Sequence, residues 1–179
     1  SLNPWRFQFK SLLLPNQSIT PMMKTGLFTG TFDPFTIGHR SIVDRALPLF
    51  DRLVIGVAVS KLKHTESDVD QRVRAIANLY VGDGRVKVVA YSDLTIDLAR
   101  REEATFIVRG VRSAKDFEYE RDQADINRRL GGVETLLLFS EPHLACVSSS
   151  LVRELEFFGH DVSEFLPEAG NNKEIGNKE

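Results

Sequence analysis

Short apolar runs rich in β-branched residues alternate along the chain with longer stretches whose apolar positions recur at helical spacing. The runs 25–28, 53–59, 86–90, 105–108 and 135–139 are predicted strands. Residues 40–50, 69–80, 94–101, 117–130 and 151–158 are predicted helices. Strands separated by helices of this length predict an α/β fold, in which crossover helices join parallel strands into one sheet. Asp68 followed by Gln71 reads as a capping pair for the second helix, and Gly82-Asp83-Gly84 and Gly131-Gly132 punctuate returns from helix to strand. In sheets of this kind ligands bind beyond the carboxyl ends of the strands, so the residues just after each run are where chemistry is to be sought.

Composition narrows this picture. With 179 residues and 42% hydrophobic content, the chain buries one sizeable core. Twenty-three Lys and Arg against 25 Asp and Glu leave a formal charge of -2, which provides no electrostatic footprint for nucleic acid or a membrane surface. Any phosphate site must therefore be built from local basic clusters. The single cysteine, Cys146, excludes an intramolecular disulfide, and it suits a reducing compartment or, nearly as well, an oxidising one without disulfides. No run approaches the roughly 18 apolar residues of a membrane helix. Residues 1–21 lack a clear apolar period and form no convincing secretory signal, whereas Met22-Met23 directly precedes the first strand. The expected organisation is an extension foreign to the fold over 1–21, one domain over 22–170 and a polar tail over 171–179.

Three segments following strands, and one lysine, are candidates for chemistry. Gly30 and Gly38 in the run from Thr29 to His39 permit close backbone approach, and His39 sits where unpaired helix amides favour an anion. The same histidine reads equally well as a helix cap. Arg109 and Arg112, flanking Gly110-Val111, suit bidentate phosphate recognition, although arginines in such a place are also commonly solvated. Ser148-Ser149-Ser150 opens a helix, where hydroxyls either cap it or bind triphosphate oxygens. Lys63, in the loop after the second strand, is a phosphate ligand or a solvated charge. Dispersed His39, His64, His143 and His160 show no zinc spacing, and the serine run lacks the hydrolase elbow.

Taken together, Gly30-Thr31-Phe32-Asp33-Pro34 with Thr36-x-Gly38-His39 resembles the T/H-x-G-H signature of the nucleotidyltransferase superfamily, and the serine run resembles its second signature. The segment from Arg109 through Asp116-Phe117-Glu118-Tyr119-Glu120 resembles the one that marks phosphopantetheine adenylyltransferases within it. The resemblance spans residues 24–167. It implies a Rossmann-like, doubly wound single-domain subunit, usually a hexamer, acting in the cytoplasm on ATP and 4'-phosphopantetheine, with Mg²⁺ held by ATP oxygens and water. It further implies catalytic roles for His39, Lys63 and Arg109. Thr31, Phe32, His39, Gly110, Val111, Arg112, Glu120 and the stretch Leu144, Ala145, Cys146, Val147, Ser148, Ser149 and Ser150 fall on the ATP site. Thr31, Lys63, Thr95 and Arg109 fall on the phosphopantetheine site, and no residue falls on a protein-held metal site. Thr29, His64 and Leu144-Ala145-Cys146 depart from the residues usual in the family. Relatives acting on nicotinamide mononucleotide or glycerol 3-phosphate share the two signatures but not the segment from Arg109 to Glu120.

Overall fold

The protein is described by a computed structural model over residues 23–59 and 68–168. The predicted extension 1–21, the tail 171–179 and the candidates Lys63 and His64 lie outside the described residues. Five strands, β1 (Thr25–Gly30), β2 (Arg52–Ala58), β3 (Val86–Tyr91), β4 (Phe106–Val111) and β5 (Glu134–Phe139), form one parallel sheet in the order β3-β2-β1-β4-β5. Helices α1 (Ile37–Ala46), α2 (Val69–Leu79), α3 (Thr95–Arg101) and α4 (Ala114–Gly131) connect successive strands, and α5 (Ser149–Phe157) follows β5. The chain winds outward from β1 to β3, then returns to the far side of β1 for β4 and β5. This is the doubly wound, Rossmann-like arrangement, with its switch point between β1 and β4.

The two-residue period of the strands divides the core between the two faces of the sheet. Phe28, Ile55 and Val108 point to one face, where Ile42, Val43 and Ala46 of α1 and Ile76 of α2 cover them. Their neighbours Leu27, Val54 and Ile107 point to the other, against Leu98 and Ala99 of α3. Gly56 is required here: a Cβ on it would lie 2.6 Å from Leu98 Cδ2 and push α3 off the sheet.

Element boundaries differ from the periodicity where local chemistry decides. Helix α1 starts at Ile37, earlier than predicted, because extended Thr36 is its N-cap, and it ends at Ala46 because Pro48 imposes a 3-10 turn over Leu47–Leu49. Helix α4 starts at Ala114, because the Ser113 hydroxyl accepts the Asp116 N–H at 3.1 Å. It ends on left-handed Gly132, whose N–H returns to the Arg128 carbonyl. The predicted Asp68–Gln71 capping pair does not form: Asp68 occupies the N-cap position of α2, but its exposed side chain makes no cap hydrogen bond. Phe117 and Tyr119 of α4 are both exposed, and Tyr119 borders one of the cavities described below.

One detail of register makes the site. Strands β1 and β4 pair only from Gly26–Phe106 to Phe28–Val108, whereas β1 stays with β2 to Gly30 and β4 stays with β5 to Val111. The two halves of the sheet therefore part at their carboxyl ends and leave a crevice at the switch point.

Candidate active site

The crevice continues into two cavities that share a wall. The first, about 380 Å³, lies over the β1–α1 turn and the starts of α4 and α5. The second, about 420 Å³, lies toward β3, α3 and α4. Thr29, Gly30, Thr31, Arg109 and Glu120 border both. Each volume falls in the range of small-molecule sites.

His39 stands in the third position of α1, one turn beyond the Thr36 cap. Its Nδ1 accepts the Thr36 backbone N–H at 3.0 Å, with the Thr36 hydroxyl also 3.0 Å away. A ring nitrogen that accepts an N–H cannot carry a proton in the neutral ring, so the proton is on Nε2. That nitrogen has no hydrogen-bond partner in the protein among the described residues, and the ring borders the first cavity. Phe28, Phe32 and Phe35 surround the ring, with Phe32 edge-on at 5.1 Å between centroids. Burial, together with the positive charges of Arg112 and Arg109, lowers the His39 pKa from 6.5 to about 4. At neutral pH His39 is thus an uncharged donor of fixed tautomer.

Phe32 reaches its place through a left-handed backbone, φ 51°, a conformation costly for a non-glycine residue, and its buried ring holds it there. Gly30 allows that turn, since a Cβ on it would lie 2.7 Å from the Phe32 ring. Gly38 is not sterically required, because a Cβ there would meet only ordinary contacts.

Arg109 spans the split in the sheet. Its Nε and Nη2 donate to the two carboxylate oxygens of Glu120, both at 2.7 Å, while Nη1 donates to the Thr29 carbonyl. Burial alone would lower the Arg109 pKa, but the hydrogen bonds and charge of Glu120 outweigh it and push it up. The guanidinium is therefore a fixed cation at the junction of the cavities. Arg112 borders the first cavity and pairs with Asp116 at 3.0 Å.

At the opposite wall Ser148 caps α5 by accepting the Leu151 N–H at 3.1 Å, and the Ser149 hydroxyl donates to the Pro34 carbonyl at 2.8 Å. Ser148, Ser149 and Ser150 all border the first cavity, as do Val147 and Gly110. The amino ends of α1 and α5 thus open on the same space, and their unpaired N–H groups and dipoles favour phosphate oxygens.

The structure brings Thr31, Phe32, His39, Gly110, Arg112, Glu120, Val147 and the three serines together on the first cavity, and Thr31, Thr95, Arg109 and Glu120 on the second. Val111 is buried and borders neither, and Leu144, Ala145 and Cys146 also lie off both linings. Leu144 is buried at the end of the 3-10 turn Pro142–Leu144, whereas Cys146 is exposed. Several lining residues escape sequence reasoning. Arg153 follows the serines by one helical turn, and its Nη1 donates to the Asp33 carbonyl. Gln123 and Asn127 share a face of α4 with Glu120, a spacing of three and seven residues that could have flagged them. Tyr91, which ends β3, has its hydroxyl 3.4 Å from that of Thr95, and Thr135 presents a buried hydroxyl without a partner among the described residues.

A split parallel sheet, with two helix amino ends and a neutral histidine facing one crevice, defines a nucleotide-handling α/β protein, and a cytidylyltransferase-like family profile matches residues 27–155. The phosphopantetheine adenylyltransferase of Bacteroides thetaiotaomicron is 53% identical over 146 residues, covering 82% of this chain and 97% of that protein. That of Phocaeicola vulgatus is 56% identical over 146 residues, with the same coverage. A bifunctional NMN adenylyltransferase/ADP ribose pyrophosphatase from Francisella tularensis superposes with a TM-score of 0.61 at 14% identity, over 81% of this chain and 44% of that one, which shows the shared fold. The chain belongs to the phosphopantetheine adenylyltransferase family.

Proposed function

We propose that the chain transfers AMP from ATP to 4'-phosphopantetheine, yielding dephospho-coenzyme A and pyrophosphate in coenzyme A biosynthesis. The observation that carries this reading is the meeting of two chemically unlike cavities at Arg109 and Thr31. The first offers helix amino ends, hydroxyls and cations, a set suited to a triphosphate. The second offers the neutral polar groups of Tyr91, Thr95, Gln123, Asn127 and Thr135, a set suited to an uncharged diamide arm. ATP in the first and the pantetheine arm in the second bring the two phosphates face to face at the shared wall.

The reaction then needs no covalent enzyme intermediate. An oxygen of the phosphopantetheine monoester attacks the α-phosphorus of ATP, a new P–O bond forms, and the bond to the β-phosphate oxygen breaks with its electron pair leaving on pyrophosphate. The protein must align two anions and stabilise the charge that develops. The His39 Nε2–H donates to an α-phosphate oxygen. Arg109 and Lys63 receive the incoming phosphate, and Arg112, Arg153 and the serines receive the departing pyrophosphate. Thr31, Phe32, Gly110 and Glu120 form the nucleotide wall, with Val111 packed behind it and Leu144, Ala145 and Cys146 outside its lining. Among the described residues no group of three His, Cys, Asp or Glu could hold a metal ion. Mg²⁺ would enter with the nucleotide, held by ATP oxygens and water, and its charge would ease the approach of the two anions.

The working unit is residues 22–170, assembled as a homohexamer in the cytoplasm, with no nucleic-acid or membrane partner. Exposed apolar residues, among them Ile126 and Leu130 on α4, Phe139 on β5 and Phe157 and Phe158 after it, support burial between subunits. Among the described residues no helix is long and apolar enough to cross a membrane. Calorimetric titration of an α,β-methylene analogue of ATP and of 4'-phosphopantetheine tests the two-cavity assignment. Each should bind in the presence of the other, whereas mutual exclusion would contradict it.

A further inference from the structure

Three guanidinium groups from three different elements donate, each through Nη1, to alternate carbonyls of the β1–α1 segment. Arg109 of β4 reaches Thr29, Arg72 of α2 reaches Thr31, and Arg153 of α5 reaches Asp33. Arg72 differs from the other two. It is 5% exposed, its Nη1 also donates to the Ala58 carbonyl at 3.3 Å, and its buried Nε has no hydrogen-bond partner among the described residues. Thr31 follows β1 and Ala58 ends β2, so one side chain ties together the carboxyl ends of adjacent strands at the rim of the crevice. Among the described residues no carboxylate pairs with Arg72, whereas Arg109 is balanced by Glu120.

A buried cation without a carboxylate is costly to the fold, and a neutral amide could brace a carbonyl without that cost. The charge becomes useful only when an anion occupies the adjacent space, where low dielectric strengthens its field. Thr31 borders both cavities, so whatever fixes its main chain fixes the wall at which the two phosphates meet.

We propose that Arg72 is a positioning residue for the transfer: through the Thr31 and Ala58 carbonyls it sets the wall between the two substrates, and its charge, which no carboxylate among the described residues offsets, favours their phosphates. The inference rests on the proposed reaction. Arg72→Met removes charge and fork at similar volume, and Arg72→Lys restores the charge with a single-point donor. Three readouts are needed: kcat and KM for ATP and 4'-phosphopantetheine, the melting temperature, and its rise on adding inorganic pyrophosphate. For Arg72→Met we expect kcat to fall about 10²-fold, the scale of a misplaced reacting group, with the pyrophosphate-induced rise cut by more than half. Arg72→Lys should regain that rise and about tenfold in kcat over Arg72→Met. An Arg72→Met enzyme with kcat within about threefold of wild type and an undiminished pyrophosphate rise overturns the proposal, whatever its melting temperature. Should Arg72→Met not fold, Arg72→Lys and Arg72→Gln decide: equal kcat in the two overturns it, and a kcat about tenfold higher in the lysine variant supports it. Failure of the proposed reaction would show separately, as a wild-type enzyme that releases no pyrophosphate from this substrate pair.

Discussion

His39 joins two roles that its position in the sequence left as alternatives. Nδ1 braces the start of α1 against Thr36, and Nε2–H faces the crevice. Removing the ring therefore costs both. His39→Ala should lower kcat by roughly 10²–10³ and destabilise the fold by about 0.5–2 kcal/mol. Steady-state kinetics and melting curves on one preparation check this, and loss of only one property would assign His39 to a single role. Protonation provides a second test. The pKa of His39 is about 4 in the fold against 6.5 for the unfolded ring, so between these values the unfolded chain binds the extra proton. Stability from this group is complete above pH 6.5 and is lost as pH falls toward 4, by roughly 2 kcal/mol at pH 5. Relative to His39→Asn, the wild-type protein should lose that much more stability between pH 7 and pH 5 in denaturant titrations. Parallel pH profiles for the two proteins would contradict a buried neutral ring.

The elements show what periodicity conveys and what it leaves out. The near-continuous apolar runs of β1, β2 and β4 mark strands buried on both faces, and all five strands form within three residues of the predicted runs. Helix starts are less visible, because Thr36 and Ser113 act through cap geometry that lies outside the apolar pattern. The glycine, histidine, arginine and serine signals after β1, β4 and β5 lead to the first cavity because strand ends in such sheets converge. The second cavity is harder to read: Tyr91, Gln123, Asn127 and Thr135 are ordinary polar residues until topology sets β3, α4 and β5 around one space. The parting of β1 from β4 is likewise a matter of register, which no local segment encodes. Across that gap the Arg109–Glu120 pair ties β4 to α4 and to the Thr29 carbonyl. Glu120→Ala strands a largely buried cation and should cost about 3 kcal/mol, with kcat falling as Arg109 loses its orientation. Chemical denaturation measures the first effect, and a change below about 1 kcal/mol would show that the pair does not hold the split sheet together.

Over the whole molecule, large apolar side chains remain exposed in the single subunit, with Phe157 at 82% and Phe139 at 67%. Light scattering at micromolar concentration should find a hexamer, and a fully active monomer would contradict the proposed assembly. The central claim is that the two cavities together select one nucleotide and one acceptor. A pyrophosphate-release assay tests it most directly, offering 4'-phosphopantetheine, nicotinamide mononucleotide and glycerol 3-phosphate separately, each with ATP and with CTP. Release with ATP and 4'-phosphopantetheine should exceed every other pair by far more than tenfold, a margin of about 1.4 kcal/mol in transition-state binding. Equal or faster release with nicotinamide mononucleotide or glycerol 3-phosphate would contradict the account.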